Sequence, residues 1–208
     1  MFTEKAKTGI WGAAAVSNAP MDDWTTEKIA EVPQRLSGST LLIVGYGKIG
    51  RMLAHKASAL GMKVIAYDPY VKKSEDANLA SSLDEGLAQA DFISIHALLT
   101  DETRNMIGEQ EFRKMKKTAF LVNTSRGEIV KESDLVEAVE NKMVRGAALD
   151  VVAGEPPDQT RAVFHTPGII VTPHVAYISE RSMRELKTRA TKNLLLALKG
   201  KKSEDAVN

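Results

Sequence analysis

The chain has 208 residues, 43% of them hydrophobic and 26% charged, with a net charge of +1. A balance this near neutral gives no electrostatic case for nucleic acid or an anionic membrane, and the absence of cysteine excludes a disulfide scaffold, thiol chemistry and thiolate zinc sites. No apolar run reaches the length of a membrane span, the first residues are a poor match to a secretory leader, and the four histidines lack close metal-ligand spacing, so a cytoplasmic globular protein without a metal is expected.

In chain order, residues 1–38 are dense in Gly, Ala, Asn and Pro and read as an arm, with only 27–32 hinting at a short helix. The apolar run Leu41-Leu42-Ile43-Val44 is too short for a comfortable helix and ends in Gly45-Tyr46-Gly47-Lys48-Ile49-Gly50, where an amphipathic segment at 49–60 begins at once. At such a strand-to-helix turn Gly45 permits the tight bend, Gly47 lets backbone N–H groups approach a pyrophosphate, and Gly50 lets the helix pack closely on the strand. Lys48 and Ile49 complete the cradle at the positive end of the helix, where Lys48 is either an added cation or a solvated lysine.

Gly61 suits a helix stop, 63–67 reads as a second strand, and Asp68 follows it, 18 positions beyond Gly50. That spacing is close to the roughly 20 residues expected of an acid that accepts both ribose hydroxyls. With no arginine in Pro69-Tyr70-Val71-Lys72-Lys73, NAD is favoured over NADP, although Lys72 and Lys73 and the alternative of an Asp that opens an Asp-Pro turn both stay open.

Further strands are expected at 91–97, 118–123, 147–152 and 169–172, alternating with helices at 82–90, 109–115, 132–141 and 179–198, the third of these capped near Ser133 and Asp134. The alternation predicts an α/β fold, a doubly wound parallel sheet of the Rossmann kind. The boundaries drawn are an N-terminal arm or substrate-domain remnant at 1–35, a nucleotide domain at 36–178, and a C-terminal helix and tail at 179–208.

In such a sheet ligands lie outside the carboxyl ends of the strands. Three of those ends present ionisable groups: Arg126, Glu155 and His174. Histidine titrates nearest working pH and suits exchange of the proton on an alcohol oxygen. Glu155 would orient it, and Arg126 offers a forked cation for a carboxylate and a polarised carbonyl. Each has a plainer reading: a turn with a solvated arginine, the start of a proline loop, and a packed histidine. His96 closes the 91–97 strand and is either a second base or a strand-end residue, with cofactor contact favoured; His55 and His165 have no such context.

Together these segments resemble the D-isomer-specific 2-hydroxyacid dehydrogenase family, which includes D-3-phosphoglycerate, D-lactate, glyoxylate/hydroxypyruvate and formate dehydrogenases. The likeness runs from Leu36-Ser37-Gly38-Ser39-Thr40 through the glycine turn, His96-Ala97-Leu98-Leu99-Thr100 with Thr103, Val122-Asn123-Thr124-Ser125-Arg126-Gly127, and Leu149-Asp150-Val151 with Glu155-Pro156, to Thr172-Pro173-His174-Val175-Ala176. The resemblance implies that Arg126 binds a 2-oxo acid, His174 exchanges the proton and Glu155 supports it. It further implies that Asp150 approaches the nicotinamide carboxamide while His96 and Thr103 line the adenosine half of NAD. Glutamate at 155 argues against formate dehydrogenases, whose histidine is typically partnered by glutamine.

Members of that family usually carry about a hundred more N-terminal residues as a separate substrate domain, so this chain is expected to be a truncated form lacking most of it. Residues 9–29 also lack the long apolar helix that the resemblance associates with subunit pairing. The small 2-oxo or 2-hydroxy acid would then be met by an incomplete cleft, completed in a homodimer or by another chain that supplies the substrate domain. The function expected is NAD-dependent oxidoreduction of the CH–OH group of a D-2-hydroxy acid. A non-catalytic NAD-binding module and a nucleotide fold serving another ligand such as S-adenosylmethionine are the alternatives.

Overall fold

The computed structural model describes residues 35–203 and Asp205, and the chain divides after Gly38, so the fold that follows is that of the part beginning at Ser39. The short helix expected at 27–32 lies outside the described residues.

Seven parallel strands form one sheet: β1 (Thr40–Val44), β2 (Lys63–Tyr67), β3 (Asn78–Leu79), β4 (Phe92–Ile95), β5 (Phe120–Asn123), β6 (Gly146–Leu149) and β7 (Ile169–Val171). Their spatial order is β3-β2-β1-β4-β5-β6-β7, so the winding reverses between β1 and β4. That reversal opens a crevice at the carboxyl ends of the two strands. Helices α1 (Lys48–Ala59), α2 (Leu83–Gln89), α3 (Glu109–Lys114), α4 (Glu132–Glu140) and α5 (Glu180–Leu198) follow the expected segments to within a residue or two. The two-residue β3 has no expected counterpart, because two residues are too few for any periodicity.

The strands read as continuous apolar runs because both faces of the sheet are covered. Side chains alternate across β1: Leu41 and Ile43 pack with Ala54 and Ala57 of α1, while Leu42 and Val44 join Leu87 of α2, Phe112 of α3 and Leu135 of α4. These four of the five β1 side chains are buried, and each contributes about 1.5–3 kcal/mol of transfer free energy.

One expected cap is placed differently. The N-cap of α4 is Lys131, without a side-chain bond, and Asp134 instead accepts the N–H of Glu109 at 2.9 Å, closing the start of α3. Capping of a neighbouring helix needs a tertiary contact that local spacing does not encode. Helix α5 differs from the other four in having no buried residue, with Leu186, Leu194, Leu195 and Leu198 all exposed. No helix among the described residues is long and apolar enough to cross a membrane.

Candidate active site

The crevice begins where β1 runs out. Gly45 has φ +93°, and a Cβ there would lie 2.4 Å from the backbone nitrogen of Ala97, so the first glycine answers both a left-handed turn and a close approach by the chain leaving β4. A Cβ on Gly50 would meet the carbonyl oxygen of Gly45 at 2.4 Å, which leaves no room between helix and turn, whereas one on Gly47 would meet nothing within 4 Å. Gly47 is the N-cap of α1, and no side chain caps the first N–H groups of the helix beside the open space at Gly47. That opening suits a phosphate anion. Lys48 and Ile49 are exposed at this opening, Ile49 by 67%.

Asp68 closes the other side. Its carboxylate accepts the N–H of Tyr46 at 2.8 Å and that of Tyr70 at 3.0 Å, which ties the end of β2 to the glycine turn. Each oxygen retains a lone pair for a ribose hydroxyl. On the β4 side, His96 is half-buried with its Nε2 2.9 Å from the Ser94 hydroxyl, and burial holds its pKa below the usual histidine value. Thr103 braces the adjoining turn, donating to the carbonyl of Leu98 at 2.6 Å and accepting the N–H of Thr100 at 2.8 Å. The residues present therefore fit a dinucleotide: an open anion cradle, an acid at ribose distance in sequence and a braced wall.

The ends of β5, β6 and β7 stand level, Asn123 beside Leu149 and Leu149 beside Val171. Asn123 is fully buried and organises the turn after β5: its Oδ1 accepts the N–H of Ser125 at 3.0 Å and its amide donates to the carbonyl of Arg126 at 2.9 Å. Ser125 donates to the carbonyl of Ala97 at 2.6 Å, joining this turn to the wall of the cofactor crevice. Arg126 projects from it, exposed, with its guanidinium on the Ser125 carbonyl at 2.7 Å and no bond to Glu155 or His174.

Glu155 and His174 are brought together from 19 residues apart, with Nδ1 of the imidazole 2.6 Å from Oε2 of the carboxylate. An ionised carboxylate only accepts, so Nδ1 carries the hydrogen and Nε2, which has no partner among the described residues, is left for a reacting atom. The second oxygen of Glu155 accepts the N–H of Val152 at 3.2 Å and steadies the pair. His174 itself has φ +54°, the left-handed region. Beside the pair lies a cavity of about 680 Å³ lined by Glu155, Pro156, Phe164, His165, Thr172 and His174. A second cleft, of about 750 Å³, lies at the β2–β3 edge near Arg51, Lys72 and Lys73 and contains no such pair.

Asp150 is 6% exposed at the end of β6. Burial pushes its carboxyl pKa up, but hydrogen bonds from Thr172, Ala176 and Val175 and attraction to His174 outweigh that and hold it below the ordinary value. Sequence reasoning passed over Asn123 and Thr172 as working residues; the one available signal was a polar side chain closing an apolar strand. His55 lies exposed on α1 with Nδ1 3.7 Å from a carboxylate oxygen of Asp76, and His165 bonds through Nε2 to the carbonyl of Gln159 at 2.8 Å. Among the described residues no group of histidines and acids is placed to hold a metal.

Residues 8–176 match the family model of the D-isomer specific 2-hydroxyacid dehydrogenase NAD binding domain. Glycerate dehydrogenase of Methylorubrum extorquens is 40% identical over 168 residues, 80% of this chain and 52% of that protein. D-3-phosphoglycerate dehydrogenase of Methanocaldococcus jannaschii is 33% identical over 198 residues, 93% of this chain and 37% of that protein. Among solved structures, the NAD-complexed D-isomer specific 2-hydroxyacid dehydrogenase of Lactobacillus delbrueckii ssp. bulgaricus superposes with a TM-score of 0.79 at 31% identity, over 89% of this chain and 61% of that one. The chain thus spans about half the length or less of these two curated relatives. By the extent of that match and by the crevice it carries, the chain belongs to the D-isomer-specific 2-hydroxyacid dehydrogenase family and comprises its NAD-binding domain.

Proposed function

We infer that this chain carries the cofactor site and the proton-transfer group of an NAD-dependent oxidoreductase that interconverts a small 2-oxo acid and the corresponding D-2-hydroxy acid. The observation that carries the reading is the Glu155–His174 hydrogen bond of 2.6 Å, which leaves Nε2 of the imidazole free at the carboxyl end of β7. Gly45, Gly47, Lys48, Ile49, Gly50 and Asp68, with His96, Thr103 and Asp150, would hold the NAD cofactor, which when bound would supply or accept the hydride.

In the reduction, His174 in its imidazolium form gives the proton at Nε2 to the carbonyl oxygen as the carbon accepts hydride, and is left neutral, with Nδ1–H still on Glu155. Arg126 binds the carboxylate and polarises the carbonyl; in this structure its guanidinium donates to the carbonyl of the preceding Ser125. In the oxidation His174 takes the proton back. Lack of cysteine and a near-neutral charge support a cytoplasmic setting, and the exposed apolar residues of α5 support a homodimer or a second chain that supplies a substrate domain. In this reading catalysis and cofactor binding both belong to 36–178.

Titration of the purified chain with NADH by fluorescence, then addition of glyoxylate, pyruvate and hydroxypyruvate, tests the reading. Binding followed by oxidation that disappears in His174→Ala supports a working dehydrogenase. Binding without turnover identifies the alternative, a non-catalytic NAD module, and no binding overturns the proposal.

A further inference from the structure

We propose that Asp150 and Thr172 form a clamp that holds His174 in its working conformation, so that Asp150 is a positioning residue for proton transfer in addition to any contact it makes with nicotinamide. The inference rests on the dehydrogenase reading for its function, and on geometry alone for its structure.

A non-glycine residue at φ +54° occupies a sparsely populated well and stays there only where its surroundings over-determine it. Glu155 holds the ring at Nδ1 and the Thr172 carbonyl accepts the N–H of His174 at 3.0 Å, but most of the bonds that hold the turn converge on Asp150. The Thr172 hydroxyl donates to Oδ1 of Asp150 at 2.5 Å, the N–H of Val175 donates to the same oxygen at 2.9 Å, and the N–H of Ala176 donates to Oδ2 at 2.8 Å. The N–H of His174 donates to the Asp150 carbonyl at 2.9 Å. Four donors from residues 172–176 therefore converge on Asp150, on both sides of the histidine.

Lone-pair accounting separates this role from that of a simple cofactor ligand. Two donors occupy Oδ1 and one occupies Oδ2, so a nicotinamide amide finds one remaining position on Oδ2. Among the described residues, Asp150 is also the only charged one of the four buried polar residues, beside Ser94, Asn123 and Thr166. A buried anion is costly to place and is kept where several donors need it. Here those donors are the turn that aims the imidazole at Glu155.

The test uses the full chain with ¹⁵N-labelled histidine and three variants, Asp150→Asn, Thr172→Val and Thr172→Ser. The readouts are the hydrogen-bonded Nδ1–H resonance of His174, NADH affinity, and glyoxylate-dependent NADH oxidation. Thr172→Val is expected to broaden or lose the resonance and slow turnover about tenfold, with NADH affinity within about twofold of wild type; Asp150→Asn loses up to about 100-fold in turnover, the scale of a reacting group displaced by an ångström. Thr172→Ser, which keeps the hydroxyl, restores both signals.

A persistent resonance in Asp150→Asn together with a tenfold or greater loss of NADH affinity would overturn the clamp and leave Asp150 a cofactor ligand. An unchanged resonance in Thr172→Val would overturn it as well, and this variant decides the matter if Asp150→Asn fails to fold. Because the ring resonance is read without substrate, a chain that does not turn over sinks the dehydrogenase reading while the clamp is still judged.

Discussion

At the ends of β1 and β2 the crevice is made of backbone, with glycines cleared of side chains, helix N–H groups left uncapped and one carboxylate tying two loops together. At the ends of β5, β6 and β7 it is made of side chains on turns, each turn pinned by a buried polar residue, Asn123 under Arg126 and Asp150 under His174. On the proposed function, the difference follows from the ligands the two regions would serve. A pyrophosphate is the same in every dinucleotide and is met by amides that cannot move. A proton must be passed by a group that changes charge, and such a group needs a side chain aimed from outside.

The comparison breaks most sharply at His174. Replacement by Ala is expected to cost about 10²- to 10⁴-fold in NADH oxidation, the range for a general acid–base, while NADH titration returns an affinity close to wild type. Parallel loss of binding would mean that the two ends are not separable. On the backbone side, Gly45→Ala adds a Cβ 2.4 Å from a main-chain nitrogen at φ +93°, with no flexible neighbour to yield. It should lower unfolding free energy by about 3 kcal/mol or more, measured by denaturant melting, and weaken NADH with it. A tolerated alanine would show that the wall at Ala97 can retreat.

Asp68→Ala is expected to act between these extremes. It removes the acceptor of two backbone amides and the proposed acceptor of the ribose, so NADH affinity should fall roughly 10- to 100-fold, in line with about 1.5–3 kcal/mol for hydrogen bonds to a charged group. Equal loss for NADH and NADPH would show that the acid orders the turn; a selective loss for NADH would show that it reads the 2′-hydroxyl.

The smallest effect belongs to His96. Its lowered pKa means that the unfolded chain binds the proton more readily than the folded one, so the stability it contributes is complete above the ordinary histidine pKa of about 6.5 and is lost as pH falls below it toward the folded value. Melting temperatures from pH 7.5 down to 5.5 should decline less steeply in His96→Asn than in the parent, and identical slopes would remove the argument.

The cofactor half was legible because its requirements are local. Gly45, Gly47 and Gly50 are spaced by the geometry of a single turn, and Asp68 follows at the length of one helix and one strand, so neighbouring residues carry the whole specification. Strand and helix positions were legible for the same reason, since two covered faces leave continuous apolar runs at β1 and β2 and alternating runs at the helices. The proposed acid–base residues were legible as types at strand ends. Their arrangement was not, because Glu155 and His174 meet across 19 residues and the donors to Asp150 come from 22 to 26 residues away.

What the sequence by itself determined, then, is the order of elements, the parallel sheet and the glycine turn, with Arg126, Glu155 and His174 marked out as candidates at strand ends, all of which follow from short-range period, turn chemistry and side-chain type. Only the tertiary structure decided that Asp134 caps α3 and not its own helix, that Asn123 and Asp150 are the posts on which the working turns are hung, and that His174 sits in a left-handed turn with Nδ1 on Glu155. Those features depend on where separate strands end relative to one another, and that register is set by packing two cores on opposite faces of one sheet.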